Sequence, residues 1–181
     1  LFKILTGEVK PDKSEPPFQY DTTNEKFEFF HIPQELNTED YSHLKISEYY
    51  LVFYPKLYEL HHQLKEIEDA LTEAPENYEK LLDRQEKLLR QFEEAGGWDR
   101  QNAYTNYLKR FRLYETERMV QNLSGGEKRK MALSLGLSSP FEVLLWDEPT
   151  NHLDMETIED FEDELLNSKK TFIIISHDRY L

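Results

Sequence analysis

Three short stretches carry residue types that could act on a phosphate ester. The apolar run "FEVLLW" (141–146) ends in Asp147 and Glu148. The apolar run "TFIII" (171–175) ends in Ser176 and His177. Such runs suit buried strands of a parallel sheet, and ligands of open α/β sheets bind beyond the carboxyl ends of the strands. Two carboxylates and an imidazole would then share one sheet edge. A nucleoside triphosphate needs that set: a carboxylate for Mg²⁺, a base or water-orienting group in line with the γ-phosphate, and a hydrogen-bonding sensor. The third stretch, "QNLSGGEKRK" (121–130), opens a helix on two glycines, each costing about 1 kcal/mol relative to alanine within a helix. Ser124 and Glu127 have the spacing of a capping box, which explains a helix start but not the glycines. Bare N–H groups at the positive end of the helix dipole make a phosphate-facing surface. Lys128, Arg129 and Lys130 strengthen the positive field, and each is expected on a solvated helix face.

The elements that must position these groups read as follows. "KFEFFHI" (26–32) alternates like a strand, after a turn-rich segment at 10–25. A helix is expected around "KISEYYLVFY" (45–54). Leu57, Leu60, Leu64, Ile67 and Leu71 then step by three and four, as do Tyr78, Leu81, Gln85, Leu88 and Phe92 after the turn at 72–77. Two such helices with a short connection make an antiparallel hairpin, closed by Gly96 and Gly97. Over 56–95 the chain has 11 acidic and 6 basic residues, so the hairpin is acidic outside. "METIEDFEDELLNS" has helical spacing between the two apolar runs, and strand–helix–strand implies an α/β core.

The bulk composition narrows the class. The 181 residues carry 36 acidic against 22 basic side chains, a net charge of -14, which argues against the chain itself binding nucleic acid. No cysteine leaves no disulfide or thiolate metal site. No apolar run approaches the roughly 20 residues of a membrane helix, and no signal-peptide pattern opens the chain. A cytoplasmic location is expected. "LFKILTGEV" reads like the middle of a helix and "SHDRYL" stops without a tail, so a piece cut at both ends is expected.

"LSGGE", "LLWDEPTNHLD" and "SHDRYL", in that order, resemble the signature motif, the Walker B motif with D-loop, and the switch histidine of ATP-binding-cassette ATPases. Gln34 in "FHIPQE" resembles the Q-loop glutamine. The resemblance implies ATP as substrate and Mg²⁺ as cofactor. Asp147 would help hold the metal, mainly through water, with Gln34 sensing metal and water. Glu148 would polarise the attacking water, and His177 would contact the γ-phosphate. Ser124, Gly125, Gly126 and Glu127 would face the γ-phosphate held by a second cassette in a head-to-tail sandwich. Asn151 to Asp154 would form the D-loop that crosses to that partner. Asn151-His152 and "SHDRY" resemble the ABC-F branch, tandem-cassette ATPases without transmembrane domains, many of which act on the ribosome; the hairpin resembles their inserted arm, including that of the Uup-like members.

The fold implied is an α/β, P-loop NTPase cassette, incomplete here. Residues 1–36 would belong to the nucleotide-binding core up to the Q-loop, and 37–123 to a helical subdomain with its arm at 56–95. Residues 124–181 would carry the signature helix, Walker B strand, D-loop and switch strand. One departure matters. No G-x-x-x-x-G-K-[ST] pattern occurs, and "LFKILTGEVKPD" resembles the sequence that directly follows that phosphate loop. The parent protein is therefore expected to hydrolyse ATP, and the 181 residues alone are not. The competing expectations are the ATPase subunit of a membrane transporter, a Uup-like DNA-associated ATPase, and, for the chain as given, an interaction module.

Overall fold

The computed structural model describes residues 29–32, 35–73 and 77–177. Gln34, and most of the expected core segment 1–36, lie outside these residues. Three strands, β1 (Phe29–Ile32), β2 (Val143–Asp147) and β3 (Thr171–Ile175), form a parallel sheet in the order β1-β2-β3. Five α-helices accompany it among the described residues: α1 (Pro55–Glu73), α2 (Tyr78–Glu94), α3 (Gly97–Arg110), α4 (Gly125–Ser138) and α5 (Met155–Asn167). The segment expected as a helix near 45–54 is a 3-10 helix, Ile46–Phe53. It buries Ile46, Tyr49, Tyr50 and Leu51, and Lys45 bridges to Met119 beside it. Its aromatic side chains pack the segment against α1 and against α3, more than 40 residues further along the chain.

Register decides which side chains face the helices. Ile32 pairs with Trp146, and Trp146 with Ile174, so they line one face of the sheet. α4 lies close on that face. A Cβ on Gly136 would sit 2.1 Å from Ile32 Cδ1 and 2.8 Å from Trp146 Cζ2. A glycine in a helix interior is therefore the condition for this close approach. Trp146 is fully buried, stacked on Phe172 at 5.3 Å with Phe161 of α5 edge-on at 5.0 Å.

The hairpin follows the leucine spacing. Leu57, Leu60, Leu64 and Ile67 of α1 and Leu88 and Phe92 of α2 are buried, and Leu71 and Leu81 are half-buried. Tyr78, expected in the stripe, is 52% exposed, because it stands near the hairpin's tip where α1 is running out. α3 enters through Gly96, whose φ of 73° turns the chain between helices. Its far end is bound to α5: Arg110 Nε lies 2.9 Å from Glu164, and Arg112 pairs with Asp160 and with Glu156 at 3.2 Å.

Candidate functional site

Parallel pairing of β2 and β3, with Asp147 opposite Ile175, brings the two polar strand ends together. Glu148 follows β2 with a φ of 48°, uncommon for a non-glycine residue. Its N–H donates to the Ile175 carbonyl at 2.8 Å, which continues the ladder one residue past the strand. The carboxylate is thereby turned inward, and Glu148 is 7% exposed. Its Oε2 accepts a 3.2 Å hydrogen bond from the His177 backbone N–H. Its Oε1 is buried without a hydrogen-bond partner among the described residues, 3.5 Å from His177 Nε2. The His177 ring itself is exposed. Asp147 is half-buried at the end of β2. Glu148 and His177 thus meet as the sequence predicts, through the backbone of one and the carboxylate of the other.

The start of α4 has the expected capping box. The Glu127 N–H donates to Ser124 Oγ at 3.3 Å, and Glu127 Oε2 accepts from the Ser124 N–H and hydroxyl, both at 2.8 Å. Arg118 donates to the other Glu127 oxygen at 2.7 Å, a partner that no local pattern announces across nine residues. Burial pushes the Glu127 carboxyl up, but the Ser124 amide and Arg118 outweigh it and hold it below its ordinary range.

The two glycines differ. No atom of the described residues lies within 4 Å of a Cβ placed on Gly125, so its face of the helix tip is open among them. A Cβ on Gly126 would stand 2.9 Å from the His152 carbonyl oxygen. Gly126 is therefore needed by the fold itself, because the loop after Glu148 passes over it. That loop carries Asn151, exposed, and His152, whose φ is 65°. It ends at Asp154, which caps α5 by accepting from the Thr157 N–H at 2.9 Å and hydroxyl at 2.8 Å. Lys130 Nζ reaches Asp154 Oδ2 at 2.7 Å, and Lys130 with Thr157 holds the Asp154 carboxyl far below its usual range.

The three basic residues of α4 overturn the solvated-face expectation in part. Lys130 is paired and largely buried, and Arg129 is 6% exposed. Arg129 makes no hydrogen bond or ion pair with the described residues, and faces Asp147, Glu148 and Glu35 at longer range. Burial lowers its pKa while these carboxylates raise it, and burial prevails. Arg129 lines a cleft of about 580 Å³ with Glu35, Asn37, Thr38, Gly125 and His152. Sequence reasoning missed it because the charge run conceals that every third or fourth position of α4 turns toward the sheet.

Among the described residues no cluster of three metal-ligating side chains exists. The donor set still fits a metal held mainly through water: a half-buried carboxylate at Asp147, at the end of β2, and at the next residue a Glu148 oxygen that accepts no hydrogen bond from the described residues.

The ABC transporter family profile matches residues 1–151. The chain belongs to the ATP-binding-cassette family. Among curated relatives, this cassette is 29% identical over 183 residues to the uncharacterized ABC transporter ATP-binding protein YkpA of Bacillus subtilis, covering 99% of the chain and 32% of YkpA. It is 39% identical over 117 residues to the ATP-binding protein Uup of Haemophilus influenzae (64% of the chain, 18% of Uup). It is 34% identical over 107 residues to the energy-dependent translational throttle protein EttA of Mycobacterium tuberculosis (59% of the chain, 19% of EttA). These relatives agree with the ABC-F character of the Asn151-His152 loop. The chain spans a third or less of each of these proteins. Among solved structures, the cassette superposes on the RNase-L Inhibitor with a TM-score of 0.53 at 18% identity, over 97% of the chain and 26% of that protein. It superposes with a TM-score of 0.54 at 19% identity on a structure of the archaeal ribosome recycling factor aABCE1 with stalk protein aP1, over 98% of the chain and 26% of that one. These two likenesses establish the fold. No helix among the described residues is long and apolar enough to cross a membrane.

Proposed function

We propose that this cassette binds and hydrolyses ATP as one half of a head-to-tail pair within a longer ABC-F polypeptide, and that the protein acts on the ribosome. The observation that carries the hydrolytic reading is Glu148: a buried carboxylate, on a left-handed backbone, with one oxygen that accepts no hydrogen bond from the described residues and lies 3.5 Å from His177 Nε2. An unsatisfied buried polar group costs about 1–3 kcal/mol, and fixed costs of this kind cluster at functional sites. In this reading Oε1 accepts a hydrogen bond from the attacking water and polarises it toward the γ-phosphate. The bond from the His177 N–H holds the other oxygen, so the carboxylate cannot rotate away. His177, exposed at the sheet edge, contacts the γ-phosphate. Asp147 would hold magnesium through water, with Gln34, outside the described residues, as the expected sensor, and the ion when bound would neutralise phosphate charge as the γ-phosphoryl group leaves.

Ser124, Gly125, Gly126 and Glu127 form the tip that addresses ATP on the opposing cassette. Gly125 supplies the open surface, and Glu127 keeps the first turn wound. Asn151 and Asp154 belong to the loop that reaches the partner, and the Lys130–Asp154 ion pair ties that loop to α4. The ribosomal assignment rests on the likeness to EttA, whose name states a translational role. The net charge of -14 leaves direct DNA contact by this chain the weaker alternative.

The test is Glu148→Gln in the full-length protein. Turnover is expected to fall about a hundred- to ten-thousand-fold, the range for a general base, with ATP binding intact. Turnover at the parental rate would remove Glu148 from this role. With ATP, the same variant should co-sediment with ribosomes in a sucrose gradient; sedimentation with membranes instead would remove the ribosomal reading.

A further inference from the structure

The hairpin carries an exposed feature that nucleotide chemistry does not use. Tyr78, Leu82 and Leu89 stand at i, i+4 and i+11 of α2 and therefore share one side of the helix. They are 52%, 40% and 38% exposed. Toward the hairpin base this apolar edge runs into a groove of about 230 Å³. Leu89 and Trp98 wall the groove, the buried Leu51, Leu64 and Phe92 line its floor, and Glu48, Lys65 and Glu68 line it as well. Trp98 is 44% exposed and held edge-on to Phe92 at 4.9 Å. Large apolar side chains contiguous with a groove of mixed apolar and charged lining mark an interaction site rather than scattered surface residues.

The charges beside this edge have one sign left over. Glu79, Glu86 and Glu93 recur every seven residues and so form a line adjoining Tyr78, Leu82 and Leu89. Glu86 is held by Arg90 at 3.0 Å, whereas Glu79 and Glu93 make no ion pair with the described residues. Glu68, on the α1 side of the groove, makes none either. The two lysines at the groove are already neutralised: Lys65 by Glu48 at 2.8 Å and Lys45 by Glu117 at 2.6 Å. The basic residues Lys80, Arg84 and Lys87 lie on the opposite side of α2 by helical geometry.

We propose that this edge receives a basic amphipathic helix of a protein partner. One large apolar side chain of that helix fills the groove between Leu89 and Trp98. Its further apolar positions lie along Leu82 and Tyr78, and its lysines or arginines meet Glu68, Glu79 and Glu93. This is a helix-in-groove mode, read by apolar anchors and steered by charge. The unpaired carboxylates disfavour a nucleic-acid backbone on the same edge. The site is independent of Glu148 and of nucleotide binding.

The test uses the full-length protein and a fluorescein-labelled Lys/Leu amphipathic peptide of about five helical turns. Its anisotropy is compared with that of a single-stranded oligouridylate of similar length. Saturable peptide binding is expected, with little for the RNA. Leu82→Lys and Leu89→Lys, both at exposed positions, should each weaken the peptide about tenfold, the loss expected of an interface anchor. The double reversal Glu79→Lys/Glu93→Lys should weaken it similarly and flatten its salt dependence. Absence of peptide binding, or binding indifferent to Leu82→Lys and Leu89→Lys, would overturn the proposal. RNA binding abolished by Leu89→Lys would overturn it in favour of nucleic acid. A self-association lost on Leu82→Lys would overturn it in favour of a second copy of the protein.

Discussion

The sheet edge and the hairpin obey opposite rules. In the hairpin the leucine stripes are buried except toward the tip, the charges lie outside, and an exposed pair such as Arg90–Glu86 contributes only about 0.3–0.5 kcal/mol. At the sheet edge the chain does what local preference disfavours. Glu148 and His152 take positive φ, and among the described residues a buried Glu148 oxygen accepts no hydrogen bond and the buried Arg129 makes no ion pair. The hairpin is built for stability and shape; the edge retains costs that the surrounding fold must outweigh. Where a region conforms to every local rule, its function is to be sought on its surface. Where it violates several at once, the violations mark the chemistry.

That contrast can be broken at several points. The largest effect is expected from Phe92→Ala, which empties a buried site beside Trp98. The unfolding free energy should fall by about 3–5 kcal/mol in denaturant titration, with turnover per folded molecule unchanged. Turnover falling in proportion would mean that the hairpin and the edge are one cooperative unit. Gly136→Ala should cost about 1–3 kcal/mol, since its methyl meets Ile32 and Trp146 and must push α4 off the sheet. Next, the two glycines of the α4 tip should separate. Gly126→Ala drives a methyl against the His152 carbonyl and should lower thermal stability by about 1 kcal/mol or more. Gly125→Ala meets open space and should leave stability unchanged or raise it by up to about 1 kcal/mol. Loss of turnover in the stable Gly125→Ala protein would localise the effect to the open face of the tip.

The smallest effect concerns His61 at the hairpin base. Burial lowers its pKa from 6.5, against the pull of Glu48, whose Oε1 lies 3.7 Å away. A depressed folded pKa means that the unfolded chain takes up the proton first. The contribution of His61 to stability is therefore complete above pH 6.5 and is lost as pH falls below it. The denaturant midpoint should drop between neutral and mildly acidic pH, and His61→Gln should flatten that drop. A midpoint that rises on acidification would show that the Glu48 attraction, not burial, governs the site.

Much of this was legible along the chain. The leucine spacing announces the hairpin, since a 3.6-residue period buries one stripe whatever lies beyond it. The apolar runs before Asp147 and Ser176 announce parallel strands, and the capping box at Ser124 is a contact across three residues. Other features escaped for a shared reason. Ile46–Phe53 winds as a 3-10 helix because of neighbours far along the chain. Tyr78 continues the stripe in sequence but has no partner helix left to bury it.

The sequence by itself therefore determined the periodic elements, the acidic character and the order of the chemical motifs, because each is set by neighbours a few residues apart. Only the tertiary structure decided that Gly126 answers to the His152 carbonyl while Gly125 remains open. Only it decided that Arg129 is buried and that one oxygen of Glu148 accepts no hydrogen bond from the described residues. Those facts depend on which surfaces meet when the sheet register and the α4 packing are fixed, and distances between such surfaces are not encoded by spacing along the chain.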